Sequence, residues 1–182
     1  KNLLLILAYD SYYRKQDMND AMWLIIRNGK KGSMEKFFNL FRSDDYRSLE
    51  AYCRLGVFYK DKGEKDKALK AASLASLAGF TKMYNAVRQR DPEFEYSGTA
   101  SLFEEIKRYG DITDWAEEKK VWEEFIFFGD AAAEDGDISF ASELYTVLSE
   151  HAPEEYWKKE ASEKKKQLEN AVPSSVIQTD AE

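Results

Sequence analysis

Apolar residues recur along this chain at intervals of three and four positions, in stretches that polar residues and glycines interrupt. The clearest stretch runs from Leu49 to Phe80, with Gly63 near its middle. Spacing of this kind gathers apolar side chains on one face of a helix, and glycine supplies the backbone freedom that a tight turn needs. The stretch therefore predicts two helices that pack on each other as a hairpin.

A similar pattern precedes this hairpin. One helix is predicted from Leu3 to Arg14 and another from about Asp20 to Arg27, and together they form a second candidate hairpin. Ser33 is a suitable N-cap for a short apolar helix that carries Phe37 and Phe38. We expect this short helix to be an extra packing element between the two hairpins.

Several helices are predicted beyond the end of the central hairpin at Phe80. The first should end near Asp91, because a residue that precedes a proline disfavours helical angles. Ser101 and Glu104 have the spacing of a capping box, which predicts the start of another helix, and Gly110 is expected to close it.

The C-terminal third of the chain predicts longer helices. Thr113 or Asp114 is placed to cap a helix that continues to Phe128. A strongly charged last helix, from about Glu154 to Glu169, is expected to cover the end of the apolar core. The apolar pattern then stops, so residues 172–182 are predicted to form a mobile tail.

Composition narrows the possible functions. The 182 residues are 43% hydrophobic, which predicts one folded domain over residues 1–171. With 27 basic and 34 acidic side chains the net charge is −7, which disfavours a broad surface for nucleic acid or anionic membrane. The single cysteine excludes an internal disulfide and a cysteine-rich zinc site. No apolar run reaches the roughly 18 to 20 residues that a membrane span requires.

Two stretches share a spaced signature: an aromatic residue, an apolar residue followed by glycine, a glycine at the turn, and small residues after it. In the central hairpin its members are Tyr52, Leu55, Gly56, Tyr59, Gly63, Ala68 and Ala75. A second copy aligns without gaps through Phe125, Phe128, Gly129, Ala132, Gly136, Ala141, Tyr145 and Leu148. This signature resembles the tetratricopeptide repeat, in which two helices form each unit.

The resemblance implies an all-α fold of stacked antiparallel hairpins. Because Gly56 and Gly129 are 129 − 56 = 73 positions apart, more than twice the family period of about 34, we expect an irregular hairpin between Thr81 and Gly110. The stack should then contain three to four hairpins with insertions. A helical repeat of another type is the alternative fold.

In the repeat family, certain positions on the first helix of each hairpin line a binding groove. From the central copy the resemblance places there Glu50, Cys53, Val57, Lys60 and Asp61. From the later copy it places Glu123, Ile126, Asp130, Ala133 and Glu134. From the first hairpin it adds Leu3, Ile6, Asp10, Tyr13 and Arg14. These residues lack the basic and asparagine clamp for a peptide carboxylate, and they suit a basic or amphipathic segment. The alternative is an ordinary solvated surface.

The predicted function is a non-enzymatic protein-protein interaction scaffold that binds a protein or peptide, with no cofactor. His151 is expected to be exposed or capping, and Cys53 to be a structural thiol, because no coherent catalytic or metal-binding set accompanies either. The alternative is an accessory or small-ligand-binding helical domain, for instance of a transport system. Its predicted pocket is lined by Phe94, Tyr96, Phe103 and Tyr109.

The resemblance places Gly56 and Gly129 where the first helix of a hairpin crosses the second, facing Ala68 and Ala141. We predict that Gly129→Leu overpacks this crossing and lowers the free energy of unfolding by about 1 to 3 kcal/mol. Urea denaturation of the variant and the parent measures the difference. Equal midpoints and slopes for the two proteins would show that the alignment is wrong.

Overall fold

A computed structural model describes residues 33–38 and 49–171, and all its regular elements are helices. They are α1 (Ser33–Phe38), α2 (Leu49–Asp61), α3 (Lys65–Arg90), α4 (Thr99–Ile106), α5 (Gly110–Glu118), α6 (Val121–Glu134), α7 (Ile138–His151) and α8 (Glu155–Ala171). No strand occurs within these two ranges, which confirms the all-α class there. The predicted hairpin from Leu3 to Arg27 and the predicted tail lie outside the described residues.

The longer helices pack as successive antiparallel pairs. α2 pairs with α3 and α6 pairs with α7 through short turns, and α8 folds back onto α7. α3 also packs against α6, which joins the two pairs directly. α2 meets α6 where Phe127 lies against Gly56, and α8 contacts α6.

The core is centred on a cluster of aromatic rings. Phe38 of α1 lies with its ring centroid 4.8 Å from that of Phe80 and 5.6 Å from that of Phe125. Phe103 continues the cluster at 5.3 Å from Trp122. All five side chains are fully buried, and the Phe38 ring inserts between α3 and α6, while α1 also packs against α7. This agrees with its predicted role as an extra packing element.

α3 is one continuous helix of 26 residues, and the predicted break after Phe80 is wrong. Gly79 lies within this helix. Because it has no side chain, α6 can approach α3 closely at this point. A Cβ built on Gly79 would lie 2.7 Å from Cγ1 of Val121. The helix ends at Arg90, and Asp91 before the proline is its C-cap, as predicted.

The predicted capping box at Ser101 and Glu104 is wrong. α4 begins at Thr99, whose backbone N–H donates to the Glu35 carboxylate at 3.0 and 3.1 Å. Ser101 instead donates its hydroxyl to the Gly98 carbonyl at 2.7 Å. A carboxylate from α1 thus supplies the acceptor that a local cap normally provides at a positive helix terminus.

The predicted long helix from Thr113 to Phe128 is two helices. Gly110 begins α5 rather than closing α4, and α5 stops at Glu118. Lys120 then takes a left-handed backbone conformation, with φ of 58°, before α6 starts. The break redirects the chain, so that α5 packs beside α3 and α6 instead of extending α6.

The expected hairpin between Thr81 and Gly110 is also absent from the structure. Its first ten residues belong to α3, and the short helix α4 packs beside α3 and α7. The two aligned copies are therefore neighbours in space, despite their separation in sequence.

The two signature glycines have different surroundings. A Cβ built on Gly129 would lie 2.5 Å from Cε1 of Tyr145 on α7, which agrees with the predicted close crossing within the hairpin. The atoms nearest to a Cβ on Gly56 all belong to Phe127 on α6, the closest at 2.8 Å. The prediction that Gly56 faces Ala68 is therefore wrong, because this glycine admits a ring from the other hairpin.

The ends of the second hairpin follow the sequence closely. Asp137 caps α7 by accepting the backbone N–H of Phe140 at 3.2 Å. α8 buries Trp157 and Ala161 along one side and is otherwise strongly charged, as predicted for a helix that covers the core. Among the residues that the structure describes, every helix is either too short or too polar to cross a lipid bilayer.

We predict that Gly79→Ala destabilises the protein by about 1 to 3 kcal/mol, because the added methyl would meet the branched side chain of Val121 in the core. Gly110→Ala is the matched control, since a Cβ there has no atom within 4 Å. Urea denaturation measures both. A Gly79→Ala protein as stable as the Gly110→Ala protein would contradict the close α3–α6 approach, because alanine is the better helix former.

Candidate functional site

The first helices of the two aligned hairpins lie side by side, and α8 lies beyond them. Lys60 of α2 places its Nζ 5.1 Å from the ring centroid of Phe127 on α6. Lys164 of α8 donates from Nζ to Asp130 Oδ2 of α6 at 2.8 Å. We call the solvent side of these three helices the α2–α6–α8 face.

Phe127 divides this face into two hollows. The lysine hollow, of about 220 Å³, lies between α2, the start of α3 and α6. Its apolar lining comes from Ala68, Phe127 and Ala131, and its charged side chains are Lys60, Lys65 and Glu134. A hollow with an apolar floor and a charged rim suits an apolar side chain with a charged neighbour.

The tryptophan hollow, of about 330 Å³, lies between α6 and α8. Ile126, Phe127, Tyr156 and Trp157 supply its apolar and aromatic surface. Its charged residues are Glu123, Asp130, Glu160 and Lys164. Three of these four are acidic, so the charge here is opposite in sign to that of the two lysines in the other hollow.

Phe127 was not among the predicted site residues. It belongs to an unbroken run of four apolar residues from Phe125 to Phe128, of which only Phe127 remains partly exposed. Four consecutive side chains point in four directions around a helix, so they cannot all enter one core. This rule predicts that at least one residue of the run lies outside the core, but it does not identify that residue.

The predicted residues of α2 are distributed across the face and its edge. Glu50 lies in the first turn of α2, and Asp61 is its exposed last residue. Val57 is 53% exposed, and Lys60 lines the lysine hollow. Cys53 is half-buried and contacts α6. The predicted residues of the first hairpin, Leu3 to Arg14, lie outside the described residues.

The predicted residues of α6 divide between the two hollows. Glu134 lines the lysine hollow, whereas Glu123 and Ile126 line the tryptophan hollow. Ile126 is only 7% exposed, so it forms floor rather than rim. Ala133 is partly buried against the core.

Asp130 also lines the tryptophan hollow, and internal contacts hold its carboxylate. Besides the bond from Lys164, its Oδ1 accepts the hydroxyl of Tyr145 at 2.7 Å. Burial, and then the nearby Asp130 charge, raise the pKa of Tyr145 far above its ordinary value, so the hydroxyl stays protonated and donates. Asp130 therefore ties α6 to α7 and α8 and is not a freely available acidic group.

Two large apolar side chains stand exposed on α2, at Val57 and Phe58. Gly56 and Lys60 contact Phe127, and Phe58 is two positions from each, which places it on the opposite flank of the helix. Tyr156, 63% exposed, lines the tryptophan hollow. Val57 and Tyr156 thus mark the face, while Phe58 lies away from it.

A buried carboxyl lies beneath the face at the seam between α2 and α6. Glu124 is only 8% exposed, and its Oε2 has no hydrogen-bond partner among the residues that the structure describes. Burial raises the pKa of Glu124, and a hydrogen bond with Cys53 opposes that rise. Cys53 is therefore part of the contact between the two hairpins.

The remaining candidate chemistry is structural. His151 ends α7 and is partly exposed, and its Nδ1 lies 2.8 Å from Glu104 Oε1 of α4, so it also links two helices. Within residues 33–38 and 49–171, no group of three or more His, Cys, Asp or Glu side chains is arranged to hold a metal ion.

The aromatic residues of the alternative ligand pocket belong largely to the core. Phe103 is fully buried, and Tyr96 packs edge-on against Phe80 and Tyr84. Tyr109 lies under the guanidinium of Arg90, 5.9 Å from its ring centroid. Among the described residues, these three rings pack against neighbouring side chains of the fold.

Comparisons with known proteins give one relative without an assigned role. It is an uncharacterized protein of Treponema pallidum (strain Nichols), 28% identical over 157 residues, which cover 84% of this chain and 41% of that protein. The chain thus spans less than half the length of this relative. No protein-family model matches the chain, and no solved structure does so either.

We predict that Glu124→Gln stabilises the protein relative to the parent, and increasingly so from pH 4 to pH 7. Because the folded-state pKa of Glu124 is raised, its contribution to stability is full below the unfolded-state value and is lost as the pH rises through the folded-state value. Glutamine keeps a similar shape without that loss.

Thermal unfolding at several pH values measures this difference. Glu169→Gln, at an exposed position on α8, is the control and should differ from the parent equally at every pH. A Glu124→Gln effect that does not change with pH would mean that the Glu124 carboxyl is solvated in the folded protein.

Proposed function

We propose that this chain is a non-enzymatic protein-interaction scaffold of the tetratricopeptide-like kind, and that its α2–α6–α8 face binds a segment of another protein. The observation that carries the proposal is the pair of hollows on either side of Phe127. Both hollows involve α6 and one involves α2, which are helices to which the repeat resemblance assigns a groove; α8 completes the other hollow.

The packing of the two aligned copies supports the tetratricopeptide-like part of the proposal. Their first helices touch through Gly56 and Phe127, and α6 also packs against α3, the second helix of the central hairpin. In a stack of helical hairpins, neighbouring units bury each other's apolar sides in this way. α8 occupies the position beyond α6 where the first helix of another hairpin would stand.

The exposed side chains support binding of a protein rather than a small molecule. The tryptophan hollow is open to solvent, and the exposed side chains of Val57 and Tyr156 add apolar surface to the face. Aromatic residues at the centre of a surface, with charges around them, are typical of protein interfaces. A small ligand is more commonly enclosed in a concave pocket.

We predict that a photo-crosslinking amino acid at Tyr156 or Val57, expressed in the native host, captures the same partner protein from either position. Tyr156 and Val57 are exposed, so the replacement leaves the core intact. Mass spectrometry of the crosslinked peptides identifies the partner and the segment that contacts each position.

The control is the same amino acid at Phe58, which is 50% exposed but lies on the opposite flank of α2. It should not capture that segment. Capture from Phe58 alone, or no capture from Tyr156 and Val57, would reject the proposed binding face.

A further inference from the structure

The two hollows of the α2–α6–α8 face differ in charge, and this difference specifies the chemistry of the segment that binds there. The inference rests on the proposed function and adds to it the order of charges along the partner. It also narrows the expected basic or amphipathic segment, because Lys65 adds a positive charge to one hollow and internal contacts hold the Asp130 carboxylate in the other.

The lysine hollow presents two available positive charges. Lys60 and Lys65 are both exposed, and neither has a carboxylate within ion-pair distance among the described residues. The Lys60 ammonium lies over the Phe127 ring, which places the charge beside the apolar floor. Glu134 is the one acidic side chain in the lining. A partner carboxylate next to an apolar side chain would therefore satisfy both kinds of surface.

The tryptophan hollow has an excess of negative charge. Lys164 is neutralised by Asp130, which leaves Glu160 and Glu123 to set the sign of the charge. Glu123 pairs with Lys120 at 3.3 Å, but both side chains are exposed, so solvent screens their attraction. A partner lysine or arginine would meet two carboxylates here, with the rings of Tyr156 and Trp157 beside its aliphatic stem.

We propose that the occupant of this face is an amphipathic protein segment with two apolar anchors, one in each hollow. An acidic residue flanks the anchor in the lysine hollow, and a basic residue flanks the anchor in the tryptophan hollow. The two hollows lie on opposite sides of α6, so the anchors are separated by about 10 Å, the usual distance between packed helices. The charge order fixes the direction in which the segment crosses Phe127.

The test uses the full 182-residue chain and a display library of random 16-residue peptides, with the selected peptides then measured by calorimetry. We expect enrichment of peptides with two apolar residues, an acidic residue beside one and a basic residue beside the other. Lys65→Glu should weaken their binding about tenfold, and exchange of the peptide's acidic residue for lysine should restore it. Glu160→Lys should act in the same way on the basic residue.

The matched controls are Lys62→Glu, in the turn after α2, and Glu169→Lys, near the end of α8, because both residues are exposed and outside the two hollows. Neither should change the affinity by more than about twofold. Enriched peptides without the charge order, or controls that weaken binding equally, would overturn this inference and leave the proposed function in place. A selection that enriches no peptide on the face would overturn both.

Discussion

The close approach of α3 to α6 is the contact on which the rest of the fold depends. Gly79 gives Val121 room beside the α3 backbone, and the rings of Phe80 and Phe125 then meet Phe38 in the core. Because this contact joins the second helix of one hairpin to the first helix of the next, it also sets the spacing between α2 and α6. The two hollows around Phe127 exist because that spacing holds the first helices side by side.

Local signals in the sequence correctly predicted the structural features that are set by residues close together in the chain. Periodic apolar residues located most helices, and the residue before Pro92 ended α3, since both effects act within a few positions along the chain. The errors arose where a distant residue decides the outcome. Glu35 supplies the cap of α4 from α1, and Val121 explains why Gly79 continues a helix. Glu35 and Val121 are both too far along the chain from the residues that they affect to belong to a local pattern.

The candidate site shows the same difference between features that the sequence predicts and features that depend on distant residues. The resemblance to the repeat family assigned Lys60, Glu123 and Glu134 to one surface, and all three line one of the two hollows. It did not include Lys65, which lies at the start of α3, or Glu160, which lies on α8 outside the two aligned copies. It also could not distinguish an available carboxylate from Asp130, whose charge is already held by Tyr145 and Lys164. The electrostatics of the face are a property of the assembled helices.

The length of α3 has a consequence for how this protein unfolds. At 26 residues, or about 39 Å, it packs against α2, α5 and α6 and therefore belongs to both hairpins at once. In regular repeat arrays each unit contacts only its neighbours, and terminal units can open separately. Here the unfolding of either hairpin would expose one side of α3, although the other hairpin also packs against α3. The shared helix thus makes the two units one cooperative body and gives the face between them a fixed shape.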